Sequence, residues 1–576
     1  MSGIAGILKG ALCDEMLNQI IKRSPSQRGE HGQFISAQVS LFGCPQPIRG
    51  ALGLQAYVLV CDGELYNKES LIKELRALGF QFADQRDATV MLHSFMAWGV
   101  NCLEKLLGVF AFALWDGERL FLARDRLGYK SLFYTVNGRG MAFASSMDIL
   151  LRHPGIKPVL TAQGVAELML LGPGRTPGCG ILQGIDELKP GHYLTYRMGE
   201  APEIHPYWQL KAIPHLETFA ETAKTVRALL SEATGKSPTM LSGGLDSSIL
   251  AALAGSKESF SLDYIGNDKH FTPNDFQPED DNEYIKEMSA SLRSRHRRHT
   301  IGTDALAEAL FPAMEARGLP GMGDVDAALL LFCQNIRETT PVILSGEGAD
   351  EIFGGYPWYT DEQRRNADTF PWSMNLPHRL AFLRPGALGN IDPEAYVHAR
   401  FTQTMASAPT LYDDEPIDKR LRQLFVLNLQ WFGQTLISRT ECMSAAAGLT
   451  IRTPYLDHRL VEYLYNVPWA FKFHEEREKG LLREAFKGIL PEKILLRKKS
   501  PFPKTHNPAY LLKVQDMMQN LLNTPGAPLF EFLERKGLNN DTPTPWYGQL
   551  MTRPQTLAYF LQINAWLERY AIDIAL

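Results

Sequence analysis

At 576 residues the chain is too long for one hydrophobic core, so two or three domains are expected. Its 45% hydrophobic and 21% charged residues are ordinary for a globular protein, and a net charge of −5 argues against a nucleic-acid binder with a broad basic face. No apolar run reaches the ~18 residues of a membrane span.

The N-terminus, Met1-Ser2-Gly3-Ile4-Ala5-Gly6-Ile7, lacks the regions of a secretory signal. The seven cysteines are scattered and form no C-x-x-C pair, which argues against a disulfide framework or a zinc site and for a reducing, cytoplasmic setting. Residues 1–200 alternate short β-like runs with turns: Tyr57–Cys61 before Asp62-Gly63, Val109–Trp115 before Asp116-Gly117, then Arg119–Arg124 and Met141–Ala144. This spacing predicts antiparallel sheets flanked by helices near 68–78 and 88–107, two sheets between helices. A Gly/Pro-rich stretch runs from Leu171 to Gly180, and the tract at 200–215 marks a domain boundary. From about 216, strands at 238–241, 259–264, 298–301 and 341–345 alternate with helices, which predicts a covered parallel sheet; beyond 357 the chain reads as mostly helical. The basic run Arg293 to His299 reads as the end of a solvated surface helix.

The most informative segment is Leu241-Ser242-Gly243-Gly244-Leu245-Asp246-Ser247-Ser248, a glycine loop between an apolar run and a helix. Ligands of open parallel sheets sit at the carboxyl ends of the strands, where backbone N–H groups and a helix N-terminus attract anions. Ser242, Ser247 and Ser248 add hydroxyl donors. A Walker A loop would carry a lysine here; Asp246 takes its place, and a carboxylate beside phosphates calls for a bridging cation, so Asp246 is assigned to Mg2+. Ser345-Gly346-Glu347-Gly348-Ala349-Asp350-Glu351 repeats the layout, making Asp350 the second carboxylate. Either loop alone also reads as an ordinary helix cap; the matched pair favours a site that splits ATP between its α and β phosphates.

Leu241–Ser248 resembles the PP-loop of N-type ATP pyrophosphatases. Together with Leu344–Tyr356, Arg439–Asp457, Lys479-Gly-Leu-Leu-Arg-Glu-Ala485 and Arg497-Lys-Lys-Ser-Pro-Phe-Pro503, it is similar to the asparagine synthetase family over nearly the whole chain. The resemblance implies an α/β multidomain protein: an Ntn-hydrolase-like αββα sandwich at 1–205, then a PP-loop (adenine nucleotide alpha hydrolase-like) parallel-sheet domain with a helical C-terminal part at 215–576. It implies ATP and Mg2+ and a small-molecule carboxylate that becomes an acyl-adenylate and is captured by ammonia or an amine. A homodimer is a further expectation, and neither nucleic acid nor a membrane is a partner. Lys479 matches the family's catalytic lysine, and Glu347 the residue that binds the amine or takes its proton. Leu241, Ser242, Gly243, Gly244, Asp246, Ser247, Leu262, Ser345 and Gly346 are the expected nucleotide contacts. Arg439 and Arg452 suit a substrate carboxylate or a structural salt bridge.

The amino-terminal half departs from the glutamine-dependent members. Ser2 stands where their nucleophilic cysteine would be, and a hydroxyl is a far weaker nucleophile than a thiol. Their Asn-Gly-Glu is Asp62-Gly63-Glu64, which replaces an oxyanion donor; one such donor contributes about 2.7–4 kcal/mol. Their His-Arg-Arg-Leu is missing, with only Arg49 near its place, whereas Asp87 remains where the glutamine amino group binds. The expected function is an AMP-forming amide synthetase acting on aspartate or a specialised acid, with little or no glutamine hydrolysis. A glutamine-hydrolysing asparagine synthetase changed at position 2, a β-lactam or lasso-peptide cyclase and a non-catalytic regulator remain alternatives. Retained Glu347 leans towards the asparagine-like arrangement, while Pro320–Asp326 departs from an aspartate pocket.

Overall fold

The computed structural model describes residues 3–8, 13–23, 31–138, 140–272, 280–539, 546–548 and 551–576. The amino-terminal part is built on two six-stranded antiparallel sheets. One runs in the order 185–187, 133–137, 140–144, 3–8, 39–44 and 32–35. The other runs 203–206, 192–197, 119–124, 108–115, 55–65 and 48–52.

Strand alternation sorts the apolar side chains into layers. On Gly108–Trp115, Ala111 and Ala113 face the other sheet with Val58, Val60, Leu120 and Leu122. Phe110, Phe112 and Leu114 face the opposite way, towards Leu71, Leu75, Val90 and Met91 on the helices Lys68–Ala77 and Asp87–Trp98. The expected single helix at 88–107 is two, because Gly99 (φ 58°) ends the first before a short helix at Cys102–Lys105.

The second part is a five-stranded parallel sheet in the order 295–301, 258–264, 239–240, 342–344 and 450–452. The central strand Thr239–Met240 is shorter than expected, yet Thr239 pairs with both Ser259 and Leu344. The strand expected at 298–301 is present but starts earlier, at Arg295, which corrects the helical reading of the basic run: the helix Asp281–Leu292 stops at left-handed Arg293, and the run becomes an edge strand. Its charges are matched by neighbours, Arg297 by Glu258 and Arg298 by Asp263, while His296 bridges the hydroxyls of Ser259 and Ser261. Basic residues on an edge also discourage pairing with another chain.

After residue 357 the chain is helical apart from short strands. The helices Phe219–Ala233 and Arg553–Arg569 each begin with a capping box, Thr218 with Glu221 and Thr552 with Gln555. A strand at Asp573–Ala575 pairs in parallel with Val159–Thr161, so the helical region closes back on the amino-terminal part. No described helix is long and apolar enough to cross a membrane.

Phe112 is fully buried, with ring centroids 5.7 Å from Phe110 and 5.8 Å from Phe121. Phe112→Ala is expected to cost about 3–5 kcal/mol in urea unfolding. A loss below about 1 kcal/mol would mean this layer is not close-packed.

Candidate active site

Strands Thr239–Met240 and Val342–Leu344 are neighbours, so the glycine loops that follow them leave the same edge of the sheet side by side. They touch: a side chain on Gly346 would meet Asp246 Cβ and the Ser247 N–H at 3.2 Å. Gly243 has φ +70°, and a Cβ there would lie 2.7 Å from Tyr284 Cβ, so no other residue suits that turn. The loop is held by its own serines: Ser242 N–H donates to Ser247 Oγ (3.2 Å), and Gly244 N–H donates to Ser242 Oγ (3.3 Å). Ser248 is fully buried and is not among the residues lining the cavity described next.

Leu241, Ser242, Asp246, Ser247, Leu262, Ser345, Gly346, Glu347 and Asp350 line one cavity of about 210 Å³. Gly243 and Gly244 shape its loop. Lys479 lies just behind, 2% exposed. Its Nζ stands 2.6 Å from both Asp246 Oδ2 and Asp350 Oδ1, and Lys499 Nζ is 2.7 Å from Asp350 Oδ2. Lys479 itself is in the left-handed region (φ 58°), a conformation retained when its surroundings over-determine it.

Burial alone would lower the pKa of Lys479, but Asp246 and Asp350 outweigh it and push it up, so the ammonium stays charged. Burial works against Asp350 as well, yet Lys479 and Lys499 hold its carboxyl well below the usual carboxylate range. Asp246 moves upward, chiefly through burial and despite Lys479, with Asp350 adding to the rise. Asp246 Oδ1 is buried without a hydrogen-bond partner. An orphaned hard oxygen beside a second carboxylate fits a divalent cation that keeps its remaining sites for phosphate oxygens and water.

Glu347 faces the same cavity, held by Arg439 Nη2 at 2.8 Å. Arg439 therefore positions Glu347, while Arg452 lies outside this cavity and pairs with Glu64 of the amino-terminal part. Beneath the loop, Glu351 accepts a hydrogen bond from Tyr356 Oη (2.6 Å). Burial first, then Glu347 and Asp350, push its pKa up to about 8.

A family model described as "Asparagine synthase" matches residues 221–568, and one described as "Glutamine amidotransferase domain" matches residues 1–208. The chain belongs to the asparagine synthetase family. "Asparagine synthetase [glutamine-hydrolyzing] 3" of Bacillus subtilis is 41% identical over 97% of this chain and 96% of its own. A "Putative asparagine synthetase [glutamine-hydrolyzing]" of Mycobacterium tuberculosis is 27% identical over 78% of this chain and 74% of its own. "Amidase chry2" of Gibberella zeae is 27% identical over 76% and 75%. This family consists of ATP-dependent carbon–nitrogen ligases, and its two-domain plan is the one described above.

In the amidotransferase-like part, Asp62, Glu64 and Asp87 line a common cavity of about 480 Å³ with Lys68 and Lys130. Ser2 lies outside the described residues. Arg49 does not join the others: it lines a separate depression and stacks over Phe34, 5.0 Å from the ring centroid. Asp62 is not a bare carboxylate, because Lys130 Nζ lies 2.8 Å from it and 3.3 Å from Glu441. The Lys130 ammonium offsets the charge of Asp62, but the amide donor of the glutamine-dependent members is still missing from that side chain.

Sequence reasoning missed Lys499, Glu351 and the wall of the cavity beyond Glu347, formed by Tyr356, Trp358, Phe432 and Tyr547. Lys499 was within reach: it sits in the motif Arg497–Pro503, whose Arg497 donates to Ser242 O at 3.1 Å. The aromatic wall comes from segments far apart in sequence, so no local signal marked it.

Two outcomes test this geometry. Gly243→Ala is expected to weaken nucleotide binding at least about tenfold in calorimetric titration while the fold persists, since φ > 0 and a backbone clash combine. Retained affinity would show that the loop tolerates another conformation. Glu351 binds its proton more tightly folded than unfolded, with about 8 against a usual 4.5. Its stabilising contribution is complete below about pH 4.5 and is lost as pH rises to about 8. Glu351→Gln should therefore raise Tm at pH 8 relative to the parent and flatten that slope; an unchanged pH profile of Tm would rule out the raised pKa.

Proposed function

We propose that this protein activates a carboxylic acid with ATP and passes the acyl group to ammonia or another amine, releasing AMP and pyrophosphate. The observation that carries this reading is the convergence of Asp246 and Asp350 on Lys479, beside two glycine loops at adjacent strand ends. In the first step a carboxylate oxygen of the acid bonds to the α-phosphorus and the α–β phosphoanhydride bond breaks, so pyrophosphate leaves. Asp246 and Asp350 would hold Mg2+, which when bound neutralises phosphate charge. The charged ammonium of Lys479 stabilises negative charge gathered on the phosphate oxygens, and Lys479 together with Lys499 keeps Asp350 ionised.

In the second step the amine nitrogen bonds to the acyl carbon, the acyl–oxygen bond to AMP breaks, and nitrogen gives up a proton. Glu347, aimed by Arg439, receives the amine and that proton. The cations lining the cavity, Arg439 and Lys499, are both paired, to Glu347 and Asp350. Neither is left for the second carboxylate of aspartate, and the far wall is aromatic. This favours a specialised acid with an apolar body over aspartate.

The division at 1–205 and 215–576 assigns this chemistry to the second unit. The first is a retained amidotransferase fold with little or no glutamine hydrolysis, supported by the missing donor at Asp62 and the displaced Arg49. A second reading, a glutamine-hydrolysing asparagine synthetase, is favoured by the cavity that still gathers Asp62, Glu64 and Asp87. We place the protein in the cytoplasm, working on small molecules.

Pyrophosphate and AMP release, screened across aromatic, aliphatic and amino acids with ammonia and Mg2+, is expected to show an acid-dependent signal stronger with apolar acids than with aspartate. Asp246→Ala should abolish it, and glutamate release from glutamine should be absent. No signal with any acid, or one unchanged in Asp246→Ala, would overturn the adenylation reading; glutamate release at the rate of amide formation would favour the second.

A further inference from the structure

Outside the nucleotide cavity, Lys472 is a buried cation without a counter-ion. It is 6% exposed, and among the described residues its ammonium has neither an ion-pair nor a hydrogen-bond partner. It lines a separate cavity of about 240 Å³, sharing no lining residue with the nucleotide cavity. Its Nζ lies 4.9 Å from the ring centroid of Phe425, another wall of that cavity. Further walls are apolar or aromatic: Tyr359, Trp469, Leu421 and Val467. Tyr359 and Trp469 stack with centroids 5.4 Å apart.

The other charges at this cavity leave Lys472 unanswered. Asp414 is taken by Arg422 at 3.1 Å, and Arg422 is further held by the carbonyl of Tyr465 and by Asn466. His215 is occupied with the Thr222 hydroxyl at 2.8 Å. Asp418 lines the cavity without an ion pair to Lys472. Burial, with a contribution from Arg422, pushes the pKa of Lys472 down to about 7, as befits an amine lacking an anion. An isolated ammonium in such surroundings is costly, and a ligand that supplies one negative charge and an apolar body relieves both the charge and the apolar walls.

We propose that this cavity is a second ligand site, taking a small monocarboxylate whose carboxylate pairs with Lys472 and whose apolar body lies between Trp469, Tyr359 and Phe425. It stands against the back of the nucleotide loop: a side chain on Gly354 would strike Trp469 at 2.4 Å, and one on Gly355 would strike Lys479 Cε at 2.4 Å. The site is independent of what the nucleotide cavity activates.

Benzoate is the probe. The full-length protein is trace-labelled with acetic anhydride near neutral pH, with and without benzoate, and acetylation is read lysine by lysine by peptide mass spectrometry. Benzoate is expected to slow acetylation of Lys472 about tenfold or more while leaving exposed Lys487 unchanged. Lys472→Met, which keeps the length of the side chain, should lose this benzoate site in calorimetric titration yet retain nucleotide binding and a Tm no lower than the parent's. The site-specific readout separates this cavity from any benzoate bound where the substrate acid sits. Lys472 that labels equally with and without benzoate, that never labels, or whose Met variant binds benzoate with unchanged stoichiometry would overturn the proposal and leave a cavity holding water alone.

Discussion

One ammonium group organises the second half of this protein. Lys479 is buried between two carboxylates that belong to different loops of one sheet, and each partner depends on the others for its charge. Removing any one would upset the charge pairing around a lysine that is itself almost wholly buried. Lys479 adopts a left-handed backbone at this point, and Gly243 has a positive φ where its loop passes close to Tyr284 and Ile285.

The helix Gln434–Ala446 ties that centre to the rest of the molecule. Its Arg439 holds Glu347 on one side, and its Glu441 answers Lys130 of the amino-terminal part on the other. Tyr129 Oη donates to the carbonyl of Ile451 at 2.6 Å, and Arg452 reaches Glu64, so the strand at 450–452 is anchored across the same boundary. These contacts are charged or polar, and several are buried. They fix register and orientation more than they add stability.

Much of this was legible in the chain because it is local. The period of two in Val109–Trp115 located a strand and both of its faces, and the two glycine loops announced neighbouring strand ends before any topology was known. What escaped was long-range. The run from Arg293 reads as helix because its basic residues show no alternation of apolar side chains; an edge strand whose charges are met by Glu258 and Asp263 needs none. Lys479 is marked in the sequence only by the motif it begins, because its partner Asp246 lies 233 residues away. Asp62 reads as a lost donor, and nothing local announces the Lys130 ammonium beside it.

Lys130 also bears on how the amino-terminal half can change. Its ammonium is shared by Asp62 and Glu441, one acid from each part of the molecule. Exchanging Asp62 for the amide found in glutamine-cleaving members would leave Lys130 paired with Glu441 alone, one cation with one acid. Position 62 is thus coupled to the synthetase part through a single shared ammonium.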